Sequence, residues 1–286
     1  MIRLNFPQLD CAKSYSLCVE SISVKKNAYK IKMAYIEPDI NVKWREFERA
    51  LITKRIHLIN FCPIGRKQQL IIGNVTKLEL MDLYTKHMCI KNKSNARKLY
   101  DMLCSSAENE ICPLCGINGV ATLDHYLPKA RYPALSVNPK NLIPACENCN
   151  KGKSADLFLS ESKRTLYPYH DEDKFYTTDW IFSEVIIMET LVFRFYAQPP
   201  MNWSQIERER VENHFEGFNL SKKYTINSAQ FISSIVYTIR DLLSKGSYKE
   251  VREHFQSLAN SSPVNSTLRA MYSAIASNTS VCRGEF

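Results

Sequence analysis

Four cysteines in the middle of the chain stand in two Cys-x-x-Cys pairs. Cys112 and Cys115 form the first pair, and Cys146 and Cys149 form the second, about thirty residues later. Four thiolates suit a tetrahedral zinc ion in a closed structural site. A redox-active Cys-x-x-Cys would instead need one pair at the start of a helix in a βαβ setting, and the pattern lacks that setting. The spacing therefore predicts one structural zinc ion held by all four cysteines, with Gly116 allowing the tight turn after the first pair.

Polar residues that can act in catalysis lie between the two cysteine pairs and directly after the second pair. Asp124 and His125 end a short apolar stretch, Asn141 precedes a second one, and Asn150 follows the last cysteine. On a regular strand, neighbouring side chains point to opposite faces, so Asp124 can bind a metal while His125 faces a water molecule. Singly, each residue has an ordinary explanation as a surface pair, a turn residue or a helix cap. Together, in this order and within one pair of Cys-x-x-Cys motifs, they favour a functional site over these separate explanations.

Residues 111 to 155 resemble the HNH, or ββα-metal, endonuclease motif in its zinc-braced form. The matching features are the Asp-His pair, the Asn-Leu step, the second Cys-x-x-Cys, the asparagine after it and a nearby lysine. The resemblance implies hydrolysis of phosphodiester bonds, with His125 as the general base. It also implies that Asp124 and Asn150 hold one Mg²⁺ or Mn²⁺ ion, since oxygen ligands suit hard cations. Asn141 would brace the loop and orient His125 by hydrogen bonding.

Basic residues surround the motif and are candidate phosphate contacts. They are Lys129, Arg131, Lys151 and Lys153. The whole chain of 286 residues has a formal net charge of +9, which favours a polyanionic partner. Surplus lysine on a solvated surface would give the same total, so charge adds only modest support. The predicted partner is nucleic acid, either DNA or structured RNA, and the sequence leaves that choice open.

The elements that must position this motif are predicted to be mainly helical. Apolar spacing predicts a helix from Val42 to Ile59 and a second helical stretch over residues 75–105, split near residues 91–94. After the motif, Leu191 to Tyr196 alternates like a strand. Ser204, with Glu207 three residues later, predicts a capping box at a helix start. Further helices are predicted at Ser228 to Leu243, Tyr248 to Leu258 and Pro263 to Ala276.

The predicted fold class is mainly α, with a small zinc-braced ββα-metal (HNH) core and a short β segment after it. We predict a helical N-terminal arm over residues 1–108 and the nuclease core over residues 109–165. Residues 166–286 are predicted to form the β segment and a helical C-terminal arm.

Cysteines and histidines outside the motif are predicted to be structural or neutral. The sequence has no apolar run near the roughly 18 residues that a membrane span needs, and its start lacks a signal-peptide pattern. We therefore predict a cytoplasmic protein that does not associate with a membrane, in a reducing compartment that disfavours disulfides. The cysteines and histidines outside the motif, which are predicted to be structural or neutral, are Cys11, Cys18, Cys62, Cys89, Cys104, Cys282, His57, His87, His170, His214 and His254.

The sequence in and after the motif also resembles a smaller group of HNH proteins. Residues 122–129 (Thr-Leu-Asp-His-Tyr-Leu-Pro-Lys) and 166–169 (Leu-Tyr-Pro-Tyr) resemble the PtuB-type nuclease of Septu and some retron antiphage systems. That resemblance implies an ABC-type ATPase partner (PtuA-like) and a role in phage defence. This sequence has no Walker A motif, so any nucleotide control would come from another chain.

The sequence leaves two alternatives open. One is a stand-alone restriction-type DNA endonuclease, which the lack of a separate base-reading module weakens. The other is a non-catalytic zinc-knuckle module that binds nucleic acid or protein. Such a module would not need the Asp124–His125 pair together with Asn150.

Overall fold

The part of the chain before the cysteine pairs is largely helical in the computed structural model, which describes residues 1–91, 94–152 and 158–286. A short hairpin of β1 (Leu70–Ile72) and β2 (Val75–Thr76) precedes the fourth helix, which a π-helical turn at Leu83–Met88 continues. The helices are α1 (Cys11–Glu20), α2 (Asn27–Tyr35), α3 (Glu37–Ile52), α4 (Lys77–Asp82) and α5 (Asn95–Cys104).

Helix α3 occupies the region of the first predicted helix but has different ends. It starts earlier, because Pro38 fits the first turn of a helix, where no backbone donor is needed. It ends at Ile52, and Lys54 then takes a left-handed conformation with φ 57°. The predicted apolar face is confirmed where Trp44 and Phe47 are buried. The predicted end at Ile59 was wrong, since that residue lies beyond a separate 3₁₀ turn.

The predicted split in the second helical stretch is confirmed. Helix α5 begins after Ser94, whose Oγ accepts a hydrogen bond of 3.2 Å from the backbone N–H of Arg97. A serine in this position satisfies one of the free N–H groups at a helix start. The amphipathic face of α5 then buries Ala96, Leu99 and Leu103.

The cysteine-paired segment forms two strands and a helix in the predicted order. Strand β3 (Thr122–His125) pairs antiparallel with β4 (Leu142–Ala145), and α6 (Glu147–Gly152) follows directly. The register places His125 opposite Leu142. The mainly helical fold with a small ββα unit in its middle is therefore confirmed.

A longer hairpin lies between the ββα unit and the last helices. Strand β5 (Ile181–Ile187) pairs antiparallel with β6 (Leu191–Ala197) along its whole length. The strand predicted from Leu191 is confirmed, and its partner lies in the apolar stretch just before it. A short helix, α7 (Lys174–Thr177), precedes this hairpin.

Six helices follow the hairpin in the described part of the chain. The capping box predicted for the first of them is confirmed, because Ser204 and Glu207 each accept a hydrogen bond from the other's backbone N–H. Helix α9 was not predicted; its buried residues are Leu220, Tyr224 and the polar Ser228, so its apolar face is narrow. The six are α8 (Gln205–Gly217), α9 (Leu220–Ala229), α10 (Ile232–Lys245), α11 (Tyr248–Ser261), α12 (Thr267–Ser277) and α13 (Thr279–Cys282).

Helices α9 and α12 pack against the β5–β6 hairpin. Buried apolar side chains from before, within and after the ββα unit belong to one hydrophobic cluster. The predicted boundaries near residues 108 and 165 remain a prediction. Among the helices of the described ranges, none is long and apolar enough to cross a membrane.

Candidate active site and metal centre

The four cysteines of the two pairs converge on one point in the core. Their Sγ atoms all lie within 4.8 Å of one another, and all four side chains are buried. The Sγ atoms of Cys115 and Cys146 are 4.0 Å apart. Zn–S bonds of about 2.3 Å in a tetrahedron would separate the sulfurs by about 3.8 Å. The donor set and its spacing therefore fit a zinc ion.

The turn after the first pair depends on a glycine. Gly116 has a positive φ of 68°, and its N–H donates to the carbonyl of Cys112 at 2.7 Å. A Cβ atom at this position would lie 2.8 Å from the backbone nitrogen of Met1. The predicted turn at Gly116 is confirmed, and the close approach to Met1 is a second reason for glycine at this position.

Hydrogen bonds among the cysteines perturb their acidity. Bonds from Cys112, Cys115 and Cys149 hold the pKa of the Cys146 thiol well below its usual range. A thiolate is the form that binds metal, and a bound zinc ion keeps coordinating thiols deprotonated.

Helices α8 and α9 hold the backbone of the first cysteine pair. Nε2 of His214 donates to the carbonyl of Leu114 at 2.9 Å, and Nδ1 accepts from the N–H of Leu166 at 3.1 Å. The hydroxyl of Tyr224 donates to the carbonyl of Cys115 at 2.9 Å. Burial lowers the pKa of His214 to about 3, so the ring stays neutral. Its predicted structural role is confirmed.

The buried imidazole of His214 makes stability depend on pH. Because its folded pKa of about 3 lies below the unfolded value of about 6.5, only the unfolded chain binds this proton in between. The stabilisation is complete above pH 6.5 and declines as the pH falls towards 3. Between pH 7.5 and pH 5 we expect a loss of about 2 kcal/mol in the free energy of unfolding.

The measurement is denaturant unfolding at both pH values for the parent and for His214→Gln, which has no titrating group. Protonation of the cysteines affects both proteins alike, so the difference between their pH slopes isolates His214. His170→Gln is the matched control, since His170 is exposed. Identical slopes for the parent and His214→Gln would contradict the prediction.

The Asp124–His125 pair lies at the end of β3, and both side chains are buried. Nε2 of His125 is 2.8 Å from the carbonyl oxygen of Ser136. A carbonyl can only accept, so Nε2 carries the hydrogen in this bond. In the neutral ring Nδ1 is then the basic nitrogen, which is the property required of a general base.

Tyr84, in the π-helical turn, packs against the same histidine. The two ring centroids are 4.4 Å apart at a steep angle, and the Tyr84 hydroxyl donates to the carbonyl of Leu123 at 3.1 Å. Nζ of Lys129 lies 4.5 Å from the Tyr84 ring centroid on a half-buried side chain. Tyr84 could not be predicted as a site residue from the sequence, because the extra residue of a π turn leaves no periodic signal.

Asn141 is fully buried and braces the loop between β3 and β4. Its Oδ1 accepts from the N–H of Leu127 at 2.8 Å, and its Nδ2 donates to the carbonyls of Leu127 at 3.0 Å and Leu135 at 3.3 Å. Ser136, which receives the His125 hydrogen bond, directly follows Leu135. Asn141 thus supports the loop segment that orients the ring. Its part in catalysis remains a prediction.

Asn150 lies in α6 beside β3. Its Nδ2 donates to Oγ1 of Thr122 at 3.4 Å. Thr122 and Asp124 are two residues apart on a strand and so share one face. The amide of Asn150 therefore lies along the face that carries Asp124, and Oδ1 is its potential ligand atom. One carboxylate and one amide oxygen are a donor set that suits Mg²⁺ or Mn²⁺.

The predicted phosphate contacts have different surroundings. Burial lowers the pKa of Lys129, which packs on Tyr84. The guanidinium of Arg131 lies 5.6 Å from the centre of the Phe61 ring. Lys151 is exposed and forms an ion pair with Glu147. Lys153 lies outside the described residues. Contact with nucleic acid remains a prediction for all four.

Comparison with known proteins identifies the domain and the family. A family model described as HNH endonuclease matches residues 112–156, so the chain contains an HNH endonuclease domain. Protein ea31 of Escherichia phage lambda is 34% identical over 232 residues, which cover 75% of this chain and 77% of that protein. The chain belongs to the ea31 family. Within this ea31-family chain, the HNH match begins at Cys112 and includes the cysteine cluster, both strands and α6. No solved structure matches the chain.

Proposed function

We propose that the protein is a metal-dependent endonuclease that hydrolyses phosphodiester bonds in nucleic acid. One observation carries the proposal: the HNH domain has Asp124 and His125 on β3, beside Asn150 on α6. A non-catalytic zinc knuckle would need neither the buried acid–imidazole pair nor the carbonyl that fixes the imidazole tautomer. This geometry favours catalysis over a purely binding role.

In this mechanism His125 acts as the general base. Its Nδ1 takes the proton of the water molecule that attacks phosphorus. The hydrogen bond from Nε2 to Ser136 places the hydrogen of the neutral ring on Nε2 and makes Nδ1 the basic nitrogen, and it becomes stronger as the ring gains charge. Packing against Tyr84 restricts the ring plane, which preserves the alignment that the proton transfer needs.

Asp124 and Asn150 are the residues that would hold the catalytic Mg²⁺ or Mn²⁺. When bound, such a cation supplies charge stabilisation to the phosphate oxygens and to the leaving oxygen. Cys112, Cys115, Cys146 and Cys149 would hold the zinc ion, which would have a separate, structural role by fixing the turn before β3 and the start of α6. Lys129, Arg131, Lys151 and Lys153 are proposed to contact phosphates of the substrate.

The direct test is a cleavage assay with purified protein. Plasmid DNA, single-stranded DNA and structured RNA are each incubated with Mg²⁺, Mn²⁺ or EDTA. We expect divalent-dependent cleavage, and we expect Asp124→Asn to lower its rate by at least about 100-fold, because the cation loses its charged ligand. Asp39→Asn is the matched control, since Asp39 is exposed in α3. Cleavage that is equally fast with EDTA, or in Asp124→Asn, would exclude this mechanism.

We infer that an ABC-type ATPase of the PtuA kind works with this nuclease in phage defence, because the sequences of residues 122–129 and 166–169 resemble the PtuB-type nuclease. The absence of a Walker A motif from this sequence supports a division of labour between two chains. The test is co-expression with an ATPase encoded beside the gene, followed by co-purification and phage plating. Both proposals place the protein in the cytoplasm. Full cleavage by the chain alone, with no complex formed, would favour a stand-alone restriction-type endonuclease.

A further inference from the structure

One lysine of the last helices touches the cysteine cluster directly. Nζ of Lys223, in α9, lies 3.2 Å from Sγ of Cys149 and 3.5 Å from the carbonyl oxygen of Asn148. Its ammonium also lies 6.0 Å from the centre of the buried Phe218 ring. The next residue, Tyr224, donates to the carbonyl of Cys115. Adjacent residues of α9 therefore contact both cysteine pairs.

The net negative charge of a zinc-loaded cluster explains why a nearby lysine ammonium group would stabilise it. Four thiolates carry −4 and the zinc ion +2, which leaves −2 in a buried site. A buried charge is strongly unfavourable unless it is paired and hydrogen-bonded. Side chains donate to two of the sulfurs: Asn118 to Cys146 at 3.9 Å and Lys223 to Cys149 at 3.2 Å. The first donor is neutral, whereas the second carries a positive charge.

An amino group lies near the other cysteine pair. The buried amino group of Met1 interacts electrostatically with Cys115 and Cys112, the first pair. Lys223 contacts the second pair. A change at residue 223 should therefore act first on the reactivity of Cys149.

We propose that Lys223 is the outer counter-cation of the zinc centre and protects Cys149 from electrophiles. The proposal rests on the zinc loading proposed above, but not on nuclease activity. A thiolate is the reactive form of cysteine, and a hydrogen bond from an ammonium group withdraws charge from its sulfur. The Cys149 sulfur then attacks electrophiles more slowly, and zinc stays bound longer. Helix α9 thus protects the metal site from electrophiles in addition to contacting it.

N-ethylmaleimide is the probe. A cysteine sulfur adds across its double bond, a proton from water completes the addition, and the Zn–S bond breaks. Zinc release from the zinc-loaded full chain is followed with a colorimetric zinc indicator. Peptide mass spectrometry records the order in which the four cysteines are modified. In the parent, we expect Cys149 to react last.

The informative variants are Lys223→Gln, Lys223→Arg and Lys222→Gln. Lys222 is the exposed neighbour, so its variant removes the same charge without touching the cluster. We expect Lys223→Gln to release zinc about tenfold faster, as is typical when an outer partner of a metal ligand is lost, and Cys149 to become the first cysteine modified. Lys223→Arg should stay near the parent, because it retains the charge, and Lys222→Gln should match the parent.

Three results would overturn the proposal. One is equal zinc release from Lys223→Gln and Lys222→Gln. Another is faster release with no change in which cysteine reacts first, since that indicates general loosening. The third is early modification of Cys149 in the parent, which decides the question even if the neutral variant does not fold. A parent chain that binds no zinc would instead reject the zinc assignment itself, before any variant is compared.

Discussion

We expect His125→Gln to lower the rate of nucleic-acid cleavage by about 10²–10⁴-fold, the usual contribution of a general base. Glutamine can place an N–H group near the position of the imidazole Nε2, so the hydrogen bond to the Ser136 carbonyl can persist. It has no basic nitrogen in place of Nδ1. This variant therefore separates the chemical role of His125 from its structural contact. The measurement is the initial rate on plasmid DNA at saturating Mg²⁺ or Mn²⁺.

Two further variants make this experiment specific. His125→Ala removes both nitrogens and should be as inactive as His125→Gln, but less stable by about 1 kcal/mol because a buried carbonyl loses its donor. His170→Gln changes an exposed histidine and should cleave like the parent. Zinc content should be the same in all of them. Parent-like cleavage by His125→Gln would show that another group takes the proton.

The second large effect is expected from the metal cluster. Replacing Cys115 by serine should reduce the zinc content of the purified chain from about one to near zero and lower its Tm by about 10 °C or more. Zinc binding contributes directly to folding free energy, and a loss of several kcal/mol is large against a total of about 5–15 kcal/mol. Cys115 is also where Tyr224 holds the turn, so the damage should extend to α9.

Calorimetry and metal analysis measure both quantities on the same sample. Cys62→Ser is the matched control, since Cys62 is only partly buried and lies outside the cluster. It should keep its zinc and shift the Tm by only a few degrees. A zinc-free Cys115→Ser chain that melts at the parent temperature would mean that the cluster does not brace the fold.

The metal cluster could be predicted from sequence because its chemistry lies in side chains at fixed spacing. Two Cys-x-x-Cys pairs indicate a common ligand whatever the fold around them. The order of the strands and of α6 followed from the same motif. The predicted strand from Leu191 and the capping box at Ser204 were confirmed for the same reason, since each depends on neighbours within a few residues.

Other features could not be predicted because they join distant parts of the chain or involve only backbone atoms. The Ser136 carbonyl that orients His125 has no side-chain signature. Lys223 approaches Cys149 from 74 residues away, and nothing in its local sequence distinguishes it from Lys222. Helix α9 buries few apolar residues, so tertiary contacts rather than amphipathic pattern stabilise it.

The hydrogen bonds around β3 and β4 affect how the sequences of related proteins can diverge. His125, Asn141 and Tyr84 all donate to backbone carbonyls, namely those of Ser136, Leu127, Leu135 and Leu123. A carbonyl oxygen is present whatever the side chain, so each accepting position can change its residue type and still accept. Selection would then act on the few donors, while the loop between the strands remains free to vary in composition. A relative that keeps this site therefore needs to share only a short, interrupted set of donor residues, even where the rest of its sequence differs.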